Sequence, residues 1–126
     1  MFKDTAAFSG FSVDDLAAAE RFYGETLGVG AESGPMGLKL TLAGGLTIFV
    51  YQKDNHAPAS YTILNFSVED IDVAVKQLKA AGIKLEHYAG MTDDDGIARG
   101  LAAKRGPDIA WFKDPAGNIL SVLQEK

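Results

Sequence analysis

Two histidines, His56 and His87, together with Glu86 and the Asp93-Asp94-Asp95 run, are the candidates for a nonstandard cation site. A transition ion needs imidazole, carboxylate or thiolate donors brought to one point. His56 falls in a segment that reads as a connecting loop and His87 on an expected strand, with neither helical nor short ligand spacing joining them. Solvated loop and surface positions are the simpler account of both, and of the aspartate run. Tyr51 and Tyr88 could hydrogen-bond an oxyanion, and His87 could act as a base if it faces inward. No nucleophile, base and orienting group form a visible set. Cysteine is absent, which removes disulfides, thiolate nucleophiles and thiolate metal sites together.

The elements that must position these groups belong to one domain spanning residues 1–126. A chain of 126 residues with 47% hydrophobic content can bury one ordinary core and is too short for two domains of usual size. Its formal net charge of -5 opposes the attraction to phosphate that drives non-specific nucleic-acid binding, so no nucleic-acid partner is expected. No stretch approaches the roughly 20 apolar residues that span a bilayer, and the N-terminus lacks a basic region followed by an apolar run. The expectation is a cytoplasmic protein with no membrane partner.

The chain repeats itself. Phe11 to Leu16 reads Phe-Ser-Val-Asp-Asp-Leu and Phe66 to Ile71 reads Phe-Ser-Val-Glu-Asp-Ile, each closing an alternating pattern and opening a helical one. Two copies at this spacing suit a pseudo-twofold domain better than a stacked array. In the first copy Asp14 and Asp15 provide an acidic start, Leu16, Ala19, Tyr23 and Leu27 a helical stripe, and Gly28 a stop. In the second, Glu69 and Asp70 start a helix whose stripe is Ile71, Ala74, Val75 and Leu78 and whose stop is Gly82.

A short strand near Val29 to Ser33, a hairpin through Gly44-Gly45 and an extended run from Leu46 to Gln52 follow the first helix. Strands at Lys84 to Tyr88, Asp108 to Phe112 and Ile119 to Gln124 follow the second, the last two joined by a turn at Asp114-Pro115-Ala116-Gly117-Asn118. The pattern predicts an α+β fold of two strand-helix-three-strand modules, residues 1–54 and 61–126, joined by a loop. Ala89 to Gly106 reads as the main irregular region and a candidate lid.

Side chains alternate across a sheet, so Phe11 and Val13 face one way with Ser9, while Phe8, Gly10 and Ser12 face the other. In the second copy Leu64, Phe66 and Val68 share the helix-facing parity and leave Ile63, Asn65 and Ser67 opposite. Small and polar groups among aromatics suit a cavity with apolar walls and a few orienting hydrogen bonds. Taken singly, Ser12, Asn65 and Ser67 could equally satisfy backbone groups at strand ends.

The run from Phe11 to Leu16, continuing to Arg21-Phe22-Tyr23 and Leu27-Gly28, with the late Asp-Pro-Ala-Gly-Asn turn, resembles the vicinal oxygen chelate superfamily. That group includes glyoxalase I, fosfomycin and bleomycin resistance proteins, and extradiol dioxygenases. The resemblance covers nearly the whole chain. It implies paired βαβββ modules forming a U-shaped, cupped mixed sheet with helices outside, and a homodimer. Metal-using members supply ligands from the first and last strands of each module, and by motif spacing those positions are Phe8, Phe49, Ile63 and Ser121. A phenyl ring and an aliphatic chain carry no lone pair, and a lone hydroxyl is a poor substitute for imidazole or carboxylate. No cofactor and no metal are therefore expected.

The leading expectation is a metal-independent, small-molecule-binding protein of the glyoxalase/bleomycin resistance type, for a flat or partly apolar ligand. Phe8, Phe49, Tyr51, Ile63 and Trp111 would wall the site, and Asn65 and Ser121 would orient the ligand. Trp111 enters partly through the resemblance and reads almost as well as a core tryptophan. One alternative is a lyase, isomerase or dioxygenase using a nonstandard metal or acid–base site. The other is a structural or partner-binding domain whose large side chains fill the cup.

Overall fold

An aspartate ends the first strand segment of each repeat and caps the helix that follows. In a computed structural model, which describes all residues from Met1 to Lys126, Asp15 accepts from the Ala18 N–H at 3.1 Å, and Asp70 accepts from Asp72 and Val73 at 3.0 and 3.2 Å. These bonds satisfy donors that a helix start leaves without partners. A second device repeats with them. The Leu16 N–H donates to Gln52 Oε1 at 3.1 Å, and the Ile71 N–H donates to Gln124 Oε1 at 2.9 Å. Each glutamine sits at the end of its repeat's last strand, so each helix start is bonded to the strand that closes its own unit.

The chain divides into two units, Met1–Pro58 and Ala59–Lys126. The first contains β1 (Ser9–Val13), α1 (Leu16–Glu20), β2 (Gly30–Gly34), β3 (Gly37–Thr41) and β4 (Thr47–Gln52). The second contains β5 (Thr62–Ser67), α2 (Ile71–Ala80), β6 (Ile97–Arg99), β7 (Asp108–Lys113) and β8 (Ile119–Gln124). Each forms a four-stranded mixed sheet of equivalent order, β1-β4-β3-β2 and β5-β8-β7-β6. The first and last strands of each unit run parallel, and the other pairs are antiparallel.

One face of each sheet is buried with its helix. In the first unit the core is Val13, Ala19, Tyr23, Leu38, Leu40, Ile48 and Val50. In the second, Ile71, Val75 and Leu78 of α2 are buried along with Leu64, Ala110, Phe112, Leu120 and Val122. The expected helical stripe holds on α2. The first helix departs from expectation after one turn, because Arg21–Thr26 is π-helical. Leu27 N–H bonds Phe22 O five residues back, at 2.9 Å. Within this wider turn Tyr23 is fully buried, 5.8 Å from the Phe11 ring and edge-on to Phe22 at 5.1 Å.

The expected strand at Lys84 to Tyr88 does not form. Only Leu85 pairs there, in an isolated bridge with Phe112, and the Glu86 N–H donates to Trp111 O before the chain turns away. The place beside β7 is taken by β6, from inside the segment read as irregular. Gly96, with φ 86°, makes this possible, since a Cβ there would lie 2.9 Å from Leu85 Cβ. Burial of Ile97 then holds the short strand.

The rest of that segment is also tied down. Arg99 donates to Asp72 Oδ1 at 2.6 Å and Oδ2 at 3.2 Å, and to Asp93 Oδ2 at 3.2 Å, while Lys79 bonds Asp95 at 3.2 Å. Asp93 Oδ1 in turn accepts from the Asp95 and Ile97 N–H groups, each at 2.9 Å. The Asp114 turn is a comparable knot. Asp114 is 4% exposed and accepts from the backbone of Ala116 and Asn118 and from the Asn118 side chain at 2.9–3.0 Å.

Two outcomes follow for stability. Gln52→Ala and Gln124→Ala each leave a helix-start donor without its protein partner and should cost about 1 kcal/mol, or about 4 °C in thermal unfolding; unchanged melting would show that water replaces the amide freely. The hydrogen bonds of Arg99 hold the Asp72 carboxyl below the usual carboxylate range. At Asp93 burial pushes upward, but the Ile97 N–H and Arg99 outweigh it and the net shift is down. A depressed folded-state pKa contributes stability that is present above the ordinary carboxylate range and lost as pH falls through the lowered value. Urea unfolding across pH should therefore show Arg99→Gln less stable than the parent near neutrality, with the gap closing below about pH 4.

Candidate functional site

With the helices on one face, the other face of each sheet is defined by register. In the first unit Phe49 lies opposite Gly10 on one side and Lys39 on the other, and Tyr51 lies opposite Ser12. Ile48 and Val50, the alternate residues of β4, are buried on the helix side. Phe49 and Tyr51 stand two apart on one strand with rings 6.3 Å apart and 16° from parallel. Gly37 fixes the place of the first ring, since a Cβ at 37 would come 2.8 Å from Phe49 Cζ and 2.5 Å from Val50 O. Beside it lies a depression of about 290 Å³ bounded by Phe49, Met36, Lys39 and Glu32. Phe8 precedes β1 and is 71% exposed.

Sequence reading did not place His56, Glu32 or Lys39 at this surface. His56 Nδ1 and Ser12 Oγ are hydrogen-bonded at 2.7 Å, which draws the loop after β4 onto β1. No local spacing announces a contact between residues 44 apart. Glu32 and Lys39 face each other across the β2–β3 pair, and parity along β3 was the available signal for Lys39.

In the second unit Asn65, Ser121 and Trp111 form one row across β5, β8 and β7. Ser121 is fully buried, and its hydroxyl donates to Asn65 Oδ1 at 2.5 Å. Trp111 is half-buried between the buried Ala110 and Phe112, so it lies on the face away from that core. The Tyr88 ring meets it edge-on at 5.4 Å, and Tyr88 is a contributor that was not placed beside Trp111 from sequence. Ile63 sits where the β5–β8 register shifts between Thr62 and Leu64, an extra residue that bends the strand end.

The four positions that motif spacing matches to metal ligands carry little donor chemistry. Phe8, Phe49 and Ile63 offer no donor atom, and Ser121 contributes a single neutral hydroxyl, a weak ligand on its own. The other acidic candidates are engaged elsewhere: Glu86 with Lys113 at 3.5 Å, Asp93 with Arg99, and Asp95 with Lys79. His87 is exposed. No three His, Asp or Glu side chains are grouped so as to share an ion.

The open faces thus offer aromatic surfaces, a hydroxyl–amide pair and a hydroxyl–imidazole pair. They can hold a ring and hydrogen-bond a polar substituent.

Similar architecture occurs in known structures. A glyoxalase family protein from Bacillus anthracis is 22% identical, with 100% of both chains covered and a TM-score of 0.70. An antibiotic binding protein from Streptomyces is 22% identical, with 98% of both chains covered and a TM-score of 0.68. The fosfomycin resistance protein FosX from Listeria monocytogenes is 15% identical over 98% of this chain and 94% of its own, with a TM-score of 0.70. No curated protein matches the sequence. The sequence model of the Glyoxalase/Bleomycin resistance protein/Dioxygenase superfamily matches residues 7–122, in line with the two βαβββ units, and this chain belongs to that superfamily.

Proposed function

We propose that this protein binds a small, flat or partly apolar organic molecule on the open faces of its sheets, without a metal ion. The observation that carries the reading is the Asn65–Ser121–Trp111 row, where an oriented amide stands in line with a half-buried indole. Ile63 is a further proposed contact on the second unit's face, and Phe8, Phe49 and Tyr51 are the proposed contacts on the first unit's face. The donor-poor chemistry of Phe8, Phe49, Ile63 and Ser121 supports metal independence. Two relatives of this fold support the ligand class, since one is an antibiotic binding protein and another a fosfomycin resistance protein.

A cytoplasmic homodimer is part of the same proposal. Each sheet has edge strands, which invite pairing, and Phe8 and Tyr61 are exposed near two of them. No helix is long and apolar enough to cross a membrane.

The Ser12–His56 hydrogen bond favours a second reading, an acid–base enzyme. There His56 would exchange a proton with a bound substrate beside Tyr51, and Ser12 would hold the ring.

A thermal-shift screen of aromatic metabolites and antibiotics tests the binding reading, because a ligand specific for the folded chain raises its melting temperature. The expected rise is the same with and without EDTA, and a rise abolished by chelation overturns metal independence. For a ligand held on the first unit's open face Phe49→Ala should weaken affinity about tenfold, and for one held on the second unit's face Trp111→Ala should do the same; unchanged affinity in both removes them from the site. Sedimentation should give about twice the 13.4 kDa chain mass, and a monomer at working concentration rejects the dimer.

A further inference from the structure

We infer that the second unit's open face is built to receive an oxygen acceptor attached to an aromatic ring: an aryl ketone, aryl carboxylate or quinone-like carbonyl. This assignment rests on the small-molecule reading above and gives that ligand a polarity. Asparagine is ambiguous in principle, since its amide can present either a carbonyl oxygen or an NH2 group. Here the ambiguity is removed by a neighbour. The buried Ser121 hydroxyl has one hydrogen-bond partner, Asn65 Oδ1, and its proton needs an acceptor there. The hydroxyl proton of Ser121 therefore points at Asn65 Oδ1.

Ser121 is wholly buried in the sheet, while Asn65 is exposed. With the oxygen turned inward to serine, the Asn65 NH2 group is the end left toward solvent. Rotating the amide would present its NH2 group to the buried hydroxyl and leave the Ser121 proton without that acceptor, at the cost of an unpaired buried donor. Ser121 thus acts as a positioning residue and Asn65 as the contact.

Spacing supplies the rest of the ligand. Asn65 and Trp111 are separated by two strand steps of about 4.8 Å each, so their backbones stand about 10 Å apart, with the small Ser121 side chain between them. An aryl ring lying on Trp111, with a carbonyl directed to the Asn65 NH2 group, spans that interval. Tyr88 braces the indole edge-on. The neighbouring cation on this face, Lys113, is already paired with Glu86, which leaves the amide as the polar contact in the row.

The net charge of -5 and the aromatic surfaces would by themselves draw cations. A preference for an acceptor must therefore come from the local donor, which makes the test a stringent one. Calorimetric titration with acetophenone, benzoate and protonated benzylamine reads it directly. Acetophenone and benzoate should bind about tenfold more tightly than benzylamine, the worth of one well-made hydrogen bond. In a nitrogen–proton correlation spectrum, the Asn65 side-chain NH2 resonances should shift with acetophenone and stay in place with benzylamine.

Asn65→Asp keeps the acceptor for Ser121 and removes the NH2. It should lose about tenfold for acetophenone and more for benzoate. Ser121→Ala frees the amide to turn and should collapse the selectivity ratio between acetophenone and benzylamine. The spectrum of the unaltered protein keeps the test decisive should either variant fold poorly. Benzylamine binding as tightly as acetophenone, or an unmoved Asn65 resonance at saturation, overturns the donor assignment while the binding function stands. If none of the three probes binds but the wider screen finds a ligand, the ligand class falls and the function survives. A blank screen as well overturns both.

Discussion

The bond between a helix start and the end of a distant strand is the constraint from which the rest of each unit follows. Gln52 and Gln124 accept the leading N–H of α1 and α2 from the ends of β4 and β8, the strands that run parallel to β1 and β5. One such bond is worth about 1 kcal/mol, too little to hold a fold. It joins each helix start to a strand end, while burial of Ala19 and Tyr23 in one unit and of Ile71, Val75 and Leu78 in the other sets the helix against one face of its sheet. Once that face is taken, strict alternation leaves no freedom about which residues look the other way. Moving β4 by one residue would expose Ile48 and Val50 and bury Thr47, Phe49 and Tyr51. The core therefore defends the orientation of the open face without contributing an atom to it.

Features governed by local period were legible in the sequence. The twin Phe-Ser-Val starts, both acidic caps, the α2 stripe, the parity of Phe11 and Val13 and the Asp114 turn need only neighbours within a few residues. Features that join distant residues carried no such signal. Gln52 and Gln124 look like surface residues at strand ends, and nothing between Ser12 and His56 marks them as partners. The short β6 strand was hidden for another reason, since three residues hold too few alternations to show a period, and the neighbouring Lys84 to Tyr88 imitates one. The π-helical turn was equally silent, because Tyr23 keeps the helical spacing whether the turn is regular or widened.

The same division separates scaffold from chemistry. The superfamily fold explains two βαβββ units and says little about what meets them, since one scaffold hosts many reactions. What is particular to this chain sits at a handful of outward positions: a ring laid across Gly37, an imidazole drawn to Ser12, and a serine that decides how an amide faces.

The buried Asp114 turn gives that division a physical basis. Its carboxylate holds the β7–β8 connection through the backbone and side chain of its own loop. The hairpin's pairing is thus anchored at its tip, while the side chains it displays are left out of that anchoring. Swapping an exposed displayed residue would alter the chemistry of the open face and leave the turn's own hydrogen bonds in place. The turn and the displayed side chains are thus separate parts of one hairpin, the first fixed by the loop's own atoms and the second open to change at half-buried Trp111.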